Sequence, residues 1–360
     1  MNRIILIGNG FDLSHDLKTS YSHFIHWYLK KVISETDDSF RSGLCSVTMS
    51  INCSLSDLYK KFSNDRNDDT PQKTLEFLHN GKKNFVFKEE MFLKRICENL
   101  ENKGWVDIEV DYYDLLKENK SNVNICKSLN KQLLLIQHML VQYLKEVQKV
   151  ITEDTKSQKK EYIFNSSISP NDISVEWEDK MTHLYQYWND PENDVWKPIK
   201  TMVLSFNYTN TVELYTKGKS DFILNQIHGK LDDESSVIFG YGDELDKDYK
   251  EMLESDDSEL IKNNKTVRYL EANNYRELLQ FVESAPFQIY ILGHSCGISD
   301  RTLLHTIFEH PNCMSIKPFL YEKSDGTDNF LEMIQNISRS IIDKRLMRDR
   351  VVNKTQCTTY

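Results

Sequence analysis

Residues that break helices and strands are scarce in this sequence. Its 360 residues include 12 glycines and 7 prolines. A content this low excludes collagen-like repeats, linker-rich arrays and long disordered tracts. It favours long helices joined by few tight turns, in a chain long enough for one elaborated domain or two.

The sequence also lacks paired cysteines and long apolar runs. Its 7 cysteines are odd in number, and no two of them have C-x-x-C spacing. This argues against a disulfide framework or a four-cysteine zinc ribbon, and it is typical of a reducing compartment. No apolar run approaches the roughly 18 residues that cross a bilayer, and the run after Met1 is too short for a signal peptide. We therefore expect a cytoplasmic protein that does not contact a membrane.

Basic residues are fewer than acidic residues. Lys and Arg total 45 against 55 Asp and Glu, which gives a formal net charge of −10. Broad binding to nucleic acid depends on a basic surface, so this balance argues against a nucleic-acid partner. A local basic patch stays compatible with it.

Short apolar strands alternate with helical patterns near both ends of the chain. Strands are predicted at 3–7, 200–206, 221–227, 287–292 and 314–321, and helices at 268–283, 301–310 and 328–346. This alternation predicts an α/β fold with a parallel sheet covered by helices. Helical spacing also recurs from Tyr21 and over 85–100, 127–150 and 174–190, whereas 34–75 suggests loops with short helices and 154–173 suggests a loop. We assign 1–30 plus 196–346 to the sheet domain, 31–195 to a mainly helical insertion, and 347–360 to a frayed tail.

Four turns after predicted strands hold the polar residues that could do chemistry. They read Gly8-Asn9-Gly10-Phe11-Asp12, Ser205-Phe206-Asn207-Tyr208-Thr209-Asn210, Gln226-Ile227-His228-Gly229 and Gly293-His294-Ser295-Cys296-Gly297. Because parallel strands end at one edge of a sheet, we expect the turns to meet in one cleft. The first could bring backbone N–H groups to a phosphate, or its glycines could serve a tight turn alone. His228 could be a general base or a turn residue, and Asn207 a ligand contact or a helix cap.

The fourth turn is a literal G-x-S-x-G, the pattern of the α/β-hydrolase nucleophile. That mechanism needs an acid and then a histidine after the serine. After Ser295 the histidines are His305 and His310, inside one predicted helix, so the triad cannot be assembled. A Cys296–His294 nucleophile pair has no orienting third group in view. We interpret the turn as a second ligand-binding turn, with Asp300 nearby.

Several of these motifs carry a family resemblance when they are taken with their neighbours. ILIGNGFDL is followed by LKTSYSHF, then by Trp105-Val106-Asp107-Ile108-Glu109 with Tyr112 and Tyr113, and later by FNYT and HG. Over nearly the whole chain this resembles the bacteriophage abortive infection AbiH family. The resemblance implies a role in antiviral defence.

The order of the four turns is also similar to the sirtuin-like NAD-binding fold. Sirtuins carry G-A-G-x-S, T-x-N-x-D, H-G and G-T-S turns, which Gly8-Asn9-Gly10, Asn207, His228-Gly229 and Gly293-His294-Ser295 resemble. The resemblance implies a Rossmann-like (sirtuin-like) parallel sheet carrying the large helical insertion. Thr209 replaces the Asp of the second turn, and the zinc-binding cysteine quartet is missing, so a protein deacetylase is not expected. Asn9 and Asp12 replace small residues of the first turn.

This second resemblance implies hydrolysis of NAD⁺ to nicotinamide and ADP-ribose. Asn207 would hold water or a ribose hydroxyl, His228 would be the general base, and Asp12 would bind the ribose or polarise His228. The nucleotide contacts would be Gly8, Asn9, Gly10, Phe11, Tyr208, Gly229, Gly293, His294, Ser295 and Asp300, the last two on the adenosine side. NAD would be the substrate, with no further cofactor, no metal and no zinc.

Two other functions stay open on the sequence. The same fold could sense a nucleotide without turnover and control a helical effector surface. Alternatively, Asp107, Glu109 and Asp111 occupy every second position, as metal ligands on one face of a strand would, which suggests a metal-dependent nuclease or toxin. A solvated acidic edge or a packed helix face explains the same residues. A phage component as trigger and self-association also stay open as partners.

Overall fold

A five-stranded parallel sheet organises the protein. The computed structural model describes residues 1–35, 39–50, 54–64, 70–80, 84–103, 107–181 and 196–360. Its strands are β1 (Asn2–Ile7), β2 (Cys45–Met49), β3 (Phe85–Glu89), β4 (Thr201–Ser205), β5 (Phe222–Gln226), β6 (Phe287–Leu292) and β7 (Cys313–Pro318). The large sheet has the order β5-β4-β1-β6-β7, and β2 pairs with β3 in a separate antiparallel ribbon. The predicted α/β class is confirmed.

The chain reverses its direction of travel across the sheet between β1 and β6. From β1 it moves outward to β4 and β5, and it then returns to β6 and continues to β7 on the other side. Every neighbouring pair is parallel, so all carboxyl ends lie at one edge. Every residue of β1 and β6 is buried, which explains why both strands are mainly apolar and show no regular polar alternation; Asn2, Arg3 and Gln288 are their buried polar residues.

Helices cover both faces of the sheet and form most of the insertion. They are α1 (Asn9–Leu13), α2 (Tyr21–Ser34), α3 (Leu55–Asn64), α4 (Pro71–Asn80), α5 (Met91–Lys103), α6 (Ile108–Glu118), α7 (Val123–Val147), α8 (Gln158–Asn165), α9 (Val175–Glu178), α10 (Glu213–Thr216), α11 (Lys247–Leu253), α12 (Lys265–Arg268), α13 (Asn274–Ser284), α14 (Arg301–Phe308), α15 (Phe330–Ser340) and α16 (Lys344–Arg350). Within the described residues, no helix combines the length and apolarity needed to span a bilayer.

Alternate side chains of β1 enter two different cores. Ile4 and Leu6 pack in a core with residues of α13, α14 and α15. Ile5 and Ile7 pack on the opposite face, where Phe164 of α8 and Tyr215 of α10 cover them. The sheet is therefore a middle layer between two layers of helices.

A third core fills the helical lobe. Apolar residues of α2, α4, α5, α6 and α7 meet there with residues of the β2–β3 ribbon. The segment between β5 and α12 also contributes, through Phe239, Tyr249 and Met252. The lobe is thus packed partly from the sheet half of the chain, not from residues 31–195 alone.

Several local predictions differ from the structure. The helix predicted over 85–100 is strand β3 followed by α5, because Phe85 and Phe87 point inward while Val86 is exposed in a ribbon with β2. Over 34–75, α3 and the start of α4 agree with the short helices expected there, whereas strand β2 was not expected. The loop predicted over 154–173 contains α8. Of the helix predicted at 174–190, residues 182–190 lie outside the described part of the chain.

The C-terminal segment is folded, so the prediction of a frayed tail is wrong. The Arg350 guanidinium is buried and donates hydrogen bonds to the carbonyls of Phe308 and His310, at 2.9 and 2.8 Å. Val351 bridges to Ile316 of β7, and the last residue, Tyr360, packs against the core beneath β1.

Candidate active site

The four predicted turns meet in one cleft at the carboxyl edge of the sheet. The cleft has a volume of about 190 Å³ and lies where β1 and β6 end. The turns supply Gly8, Asn9, Asp12, Phe206, Asn207, Tyr208, Thr209, His228, His294, Ser295, Ser299 and Asp300 to its walls. The helical lobe supplies the rest of the lining: Thr19, Tyr21, Asp107, Glu109, Leu140 and Leu144. The sequence did not indicate that the insertion forms a wall of this cleft.

The glycines of the first and fourth turns pack the two turns on each other. The N–H of Gly10 donates to the carbonyl of Gly293 at 2.8 Å. A Cβ atom on Gly8 would lie 2.7 Å from the Cα of His294, and one on Gly293 would lie 2.1 Å from the amide nitrogen of Phe11. These glycines serve a close approach between backbones, and the N–H of Gly10 is used by the carbonyl of Gly293.

Two other residues predicted to contact a nucleotide have structural roles. Phe11 is fully buried beneath β1 and packs against Phe164 and Tyr215. Gly229 has φ +86°, and a Cβ there would lie 2.1 Å from the carbonyl oxygen of Ser236. Gly10, Phe11, Gly229 and Gly293 are not part of the cleft lining.

Asn207 links the turn after β4 to the turn after β1. Its side-chain amide donates to the carbonyl of Gly8 at 3.0 Å, and its backbone N–H donates to the hydroxyl of Ser205 at 3.2 Å. The residue is buried yet lines the cleft. It does not cap α10, whose N-cap is Val212. The side-chain amide of Asn207 is therefore held in a fixed orientation in the wall of the cleft.

Asp12 presents an unpaired oxygen at the cleft. Its side chain is 1% exposed, and the hydroxyl of Thr209 donates to its Oδ2 at 2.6 Å. Among the described residues, Oδ1 has no hydrogen-bond partner. Burial raises the pKa of Asp12 to about 6, against the opposing effect of the Thr209 hydrogen bond. Thr209 thus satisfies one oxygen of this carboxylate and not the other.

His228 is a buried imidazole beside a carboxylate. Its Nε2 lies 3.4 Å from Oδ1 of Asp300 and 3.2 Å from the hydroxyl of Tyr269. Burial and then the charge of Lys265 lower the pKa of His228 below its ordinary value, against the pull of Asp300. The carboxylate that orients His228 is therefore Asp300, where the sequence suggested Asp12.

Asp300 is the centre of a charged group that includes an unforeseen lysine. Besides His228, it faces Nε2 of His294 at 3.6 Å and the ammonium of Lys265 at 3.0 Å. Burial alone would raise the pKa of Asp300, but Lys265 and His228 hold it well below its ordinary value. This position deep in the cleft does not fit the adenosine contact that the resemblance assigned to Asp300.

The fourth turn does not form a nucleophile. The ring Nδ1 of His294 accepts the backbone N–H of Cys296 at 3.0 Å, so this histidine orients the turn. Cys296 is buried, and burial raises the pKa of its thiol well above its ordinary value, which disfavours the reactive thiolate. Ser295 is exposed at the rim of the cleft, and its carbonyl accepts from the amide of Asn336 at 2.8 Å.

The acidic segment of the lobe is a helix start and not a strand, so its carboxylates do not alternate as the nuclease alternative supposed. Asp107 caps α6 by accepting from the N–H of Val110. Glu109 and Asp111 lie in the first turn of α6, where Glu109 meets Lys265 and Asp111 accepts from Asn99 at 2.5 Å. Trp105 lies outside the described residues. In the part of the chain that the structure describes, no three His, Cys, Asp or Glu side chains are grouped to hold a metal.

Comparison with known proteins gives a family. Curated protein sequences gave no match to the chain. The family model described as "Bacteriophage abortive infection AbiH" matches residues 4–321. That span runs from β1 to beyond β7, so it includes all four turns and the helical lobe. The chain therefore belongs to the bacteriophage abortive infection AbiH family.

Proposed function

We propose that the protein is an abortive-infection effector that hydrolyses NAD⁺ to nicotinamide and ADP-ribose in the cleft. The observation that carries this proposal is the meeting of His228, Asn207 and the unpaired oxygen of Asp12 in one buried site. A base, an oriented amide and a free acceptor are what hydrolysis of a ribosyl bond requires. Membership of the AbiH family supports the defence role, because loss of NAD⁺ would stop an infected cell from supporting phage growth.

The sheet favours a nucleotide as the ligand. Numbered along the chain, its five parallel strands are ordered third, second, first, fourth, fifth, which is the order of the first five strands in a Rossmann sheet. Such sheets bind nucleotides in the crevice where the strand order reverses. Here the reversal lies between β1 and β6, and the cleft opens at that place. This agreement supports the Rossmann-like, sirtuin-like assignment.

The proposed reaction breaks the bond between C1′ of the ribose and the nicotinamide nitrogen. The bonding electron pair leaves with nicotinamide, which departs as a neutral molecule and needs no general acid. The oxocarbenium-like ribose is then attacked by water, whose proton passes to His228. Burial keeps His228 neutral near pH 7, so it is able to take that proton.

The surrounding residues would orient the ribose and stabilise its positive charge. Asp12 Oδ1 would accept a hydrogen bond from a ribose hydroxyl, and Asn207 would hold the attacking water. Asp300 lies beside His228 and would stabilise the imidazolium that forms, as a carboxylate partner does in histidine-based catalysis. Ser295, at the exposed rim, fits the adenosine side.

A direct assay tests this proposal. Purified protein is incubated with a fluorogenic NAD⁺ analogue, alone and with lysate of phage-infected cells, and nicotinamide release is confirmed by chromatography. His228→Ala and Asn207→Ala should each lose about 10²–10⁴-fold in turnover at an unchanged melting temperature. His305→Ala, on α14 outside the cleft, is the matched control and should keep full activity.

Two outcomes would overturn parts of the proposal. Wild-type protein that releases no nicotinamide, with or without infected lysate, would remove the enzymatic claim. Turnover that survives in both cleft variants would leave the activity but remove the assignment of His228 and Asn207.

Nucleotide sensing without turnover is the second candidate. Leu140 and Leu144 of α7 line the cleft, and α7 runs through the core of the lobe. A bound nucleotide would therefore touch the lobe directly and could change an effector surface on it. Binding of NAD⁺ measured by calorimetry, with no nicotinamide released, would favour this candidate. The nuclease candidate has less support, because Glu109 and Asp111 already have protein partners.

A further inference from the structure

A buried lysine joins the helical lobe to the proposed catalytic histidine. Lys265 is 1% exposed, and its ammonium lies 2.8 Å from Oε2 of Glu109 and 3.0 Å from Oδ1 of Asp300. Glu109 belongs to α6 of the lobe, whereas Asp300 follows β6 and contacts His228. The second oxygen of Glu109 accepts the N–H of Gly240 at 3.2 Å, so both ends of this carboxylate are held.

We propose that Lys265 and Glu109 are positioning residues of the site: Glu109 holds the ammonium of Lys265 in place, and Lys265 fixes Asp300 as the ionised partner of His228. Neither residue touches the reacting atoms in this arrangement. Both act through Asp300, whose Oδ1 lies within 3.4 Å of His228 and within 3.0 Å of Lys265. The consequence for turnover rests on the proposed function, whereas the consequence for the charge of His228 does not.

The electrostatic effect on His228 has a definite sign. The groups that face the imidazole are Asp300, Lys265, Tyr269 and His294. Asp300 favours the protonated ring, and Lys265 and His294 disfavour it. Burial and, after it, the charge of Lys265 keep the imidazole uncharged, so that it can act as a base. Without the lysine, the unbalanced carboxylate would draw a proton onto the ring.

Glu109 determines what happens when the lysine is removed. Burial raises the pKa of Glu109 to about 7, although Lys265 opposes this. Loss of the lysine charge would therefore lead Glu109 to take up a proton. Asp300 would be left with His228 and His294 as the groups that oppose the effect of its burial, so it would favour the protonated form of the His228 ring. A single charge removed from a buried pair can also destabilise the fold, so the test needs a variant in which both charges are removed.

The test follows the titration of His228 by NMR with ring-labelled histidine, its signal identified by its loss in His228→Ala. In Lys265→Met and in the double variant Lys265→Met with Glu109→Gln, the midpoint should rise by about one pH unit or more. In Glu109→Gln alone the His228 midpoint should fall by a smaller amount, because Asp300 is then the carboxylate that remains paired with Lys265. Lys317→Met is the matched control: it breaks a buried lysine–Asp172 pair outside the cleft and should not move the midpoint.

The same variants separate this inference from the proposed function. If NAD⁺ is hydrolysed, the acidic limb of the rate profile should shift upward by the same amount as the NMR midpoint. NMR shifts without any turnover would support the positioning role and reject the enzyme. A His228 midpoint that moves by less than about 0.2 pH unit in the double variant would overturn the inference, whatever the activity.

Discussion

The contact between the first and fourth turns predicts an unusually costly glycine substitution. Gly293 has φ +74°, a backbone conformation that costs an L-residue about 1–2 kcal/mol. Its added Cβ would also lie 2.1 Å from the amide nitrogen of Phe11 and 2.7 Å from the carbonyl carbon of Gly10. Those neighbours are backbone atoms and cannot rotate away. The two turns must therefore separate to admit a methyl group.

The magnitude follows from three separable contributions. Forced separation of packed groups costs about 1–3 kcal/mol, and loss of the Gly10 to Gly293 hydrogen bond costs about 1 kcal/mol. With the backbone cost, Gly293→Ala should lower the free energy of unfolding by about 3–6 kcal/mol. It should also change the shape of the cleft, because Gly8 and His294 line it from these same two turns.

Two other glycines separate the contributions. Gly218 has φ +79° with no atom within 4 Å of an added Cβ, so Gly218→Ala should cost only the backbone contribution of about 1–2 kcal/mol. Gly10 lies in α1, and its Cβ would lie 2.8 Å from the carbonyl oxygen of Gly293, so Gly10→Ala tests the collision alone. Urea unfolding measures all three. If Gly293→Ala costs no more than Gly218→Ala, the argument from close packing is wrong.

Two further predictions concern pH. Because burial raises the pKa of Asp12 to about 6 from an ordinary value of 3.8, ionisation of Asp12 costs stability above pH 6, and that cost disappears as the pH falls toward 4. In urea unfolding, Asp12→Asn should therefore be more stable than the wild type at pH 7.5, and the difference in unfolding free energy should be smaller at pH 4.5. An equal difference at the two pH values would contradict this. His79 lies between Glu89 and Glu101, and the Glu89 hydrogen bond raises its pKa. Protonated His79 stabilises the fold fully below about pH 6.5, and this stabilisation is lost as the pH rises through the folded-state pKa. Thermal unfolding should therefore find His79→Gln destabilised at pH 5.5 and nearly as stable as the wild type at pH 9. Equal destabilisation at both pH values would refute the ion pair.

The sheet and its cleft could be predicted because their signals are local. A strand buried on both faces is mainly apolar, and Phe287–Leu292, with Gln288 as its one polar residue, has its bounds as predicted. Polar residues that directly follow such strands lie at the carboxyl edge whatever the rest of the fold is. This is why Asn207, His228 and Ser295 could be placed near one another before the structure was known.

The errors arose where the meaning of a residue depends on distant partners. A glycine at a strand end allows a ligand or another backbone to approach, and only the contact of Gly10 with Gly293 shows which of these occurs. Residues 85–89 show period-two alternation, but the helical spacing of the residues after them obscured it. Lys265 follows no strand, and its importance comes from Glu109 and Asp300, which are 156 and 35 positions away.

The charges of the cleft constrain how NAD⁺ would enter it. Asp12, Asp107, Glu109 and Asp300 all line the cleft, and the ammonium of Lys265 is shared between Glu109 and Asp300. A surplus of carboxylates attracts the cationic nicotinamide ring and the oxocarbenium that replaces it, and it repels a pyrophosphate. We therefore infer that the nicotinamide ribose lies inward and that the pyrophosphate stays near the exposed rim at Asn9 and Ser295. The same surplus explains why the buried lysine is needed, because without it His228 would share the cleft with an uncompensated Asp300 and would no longer be a free base.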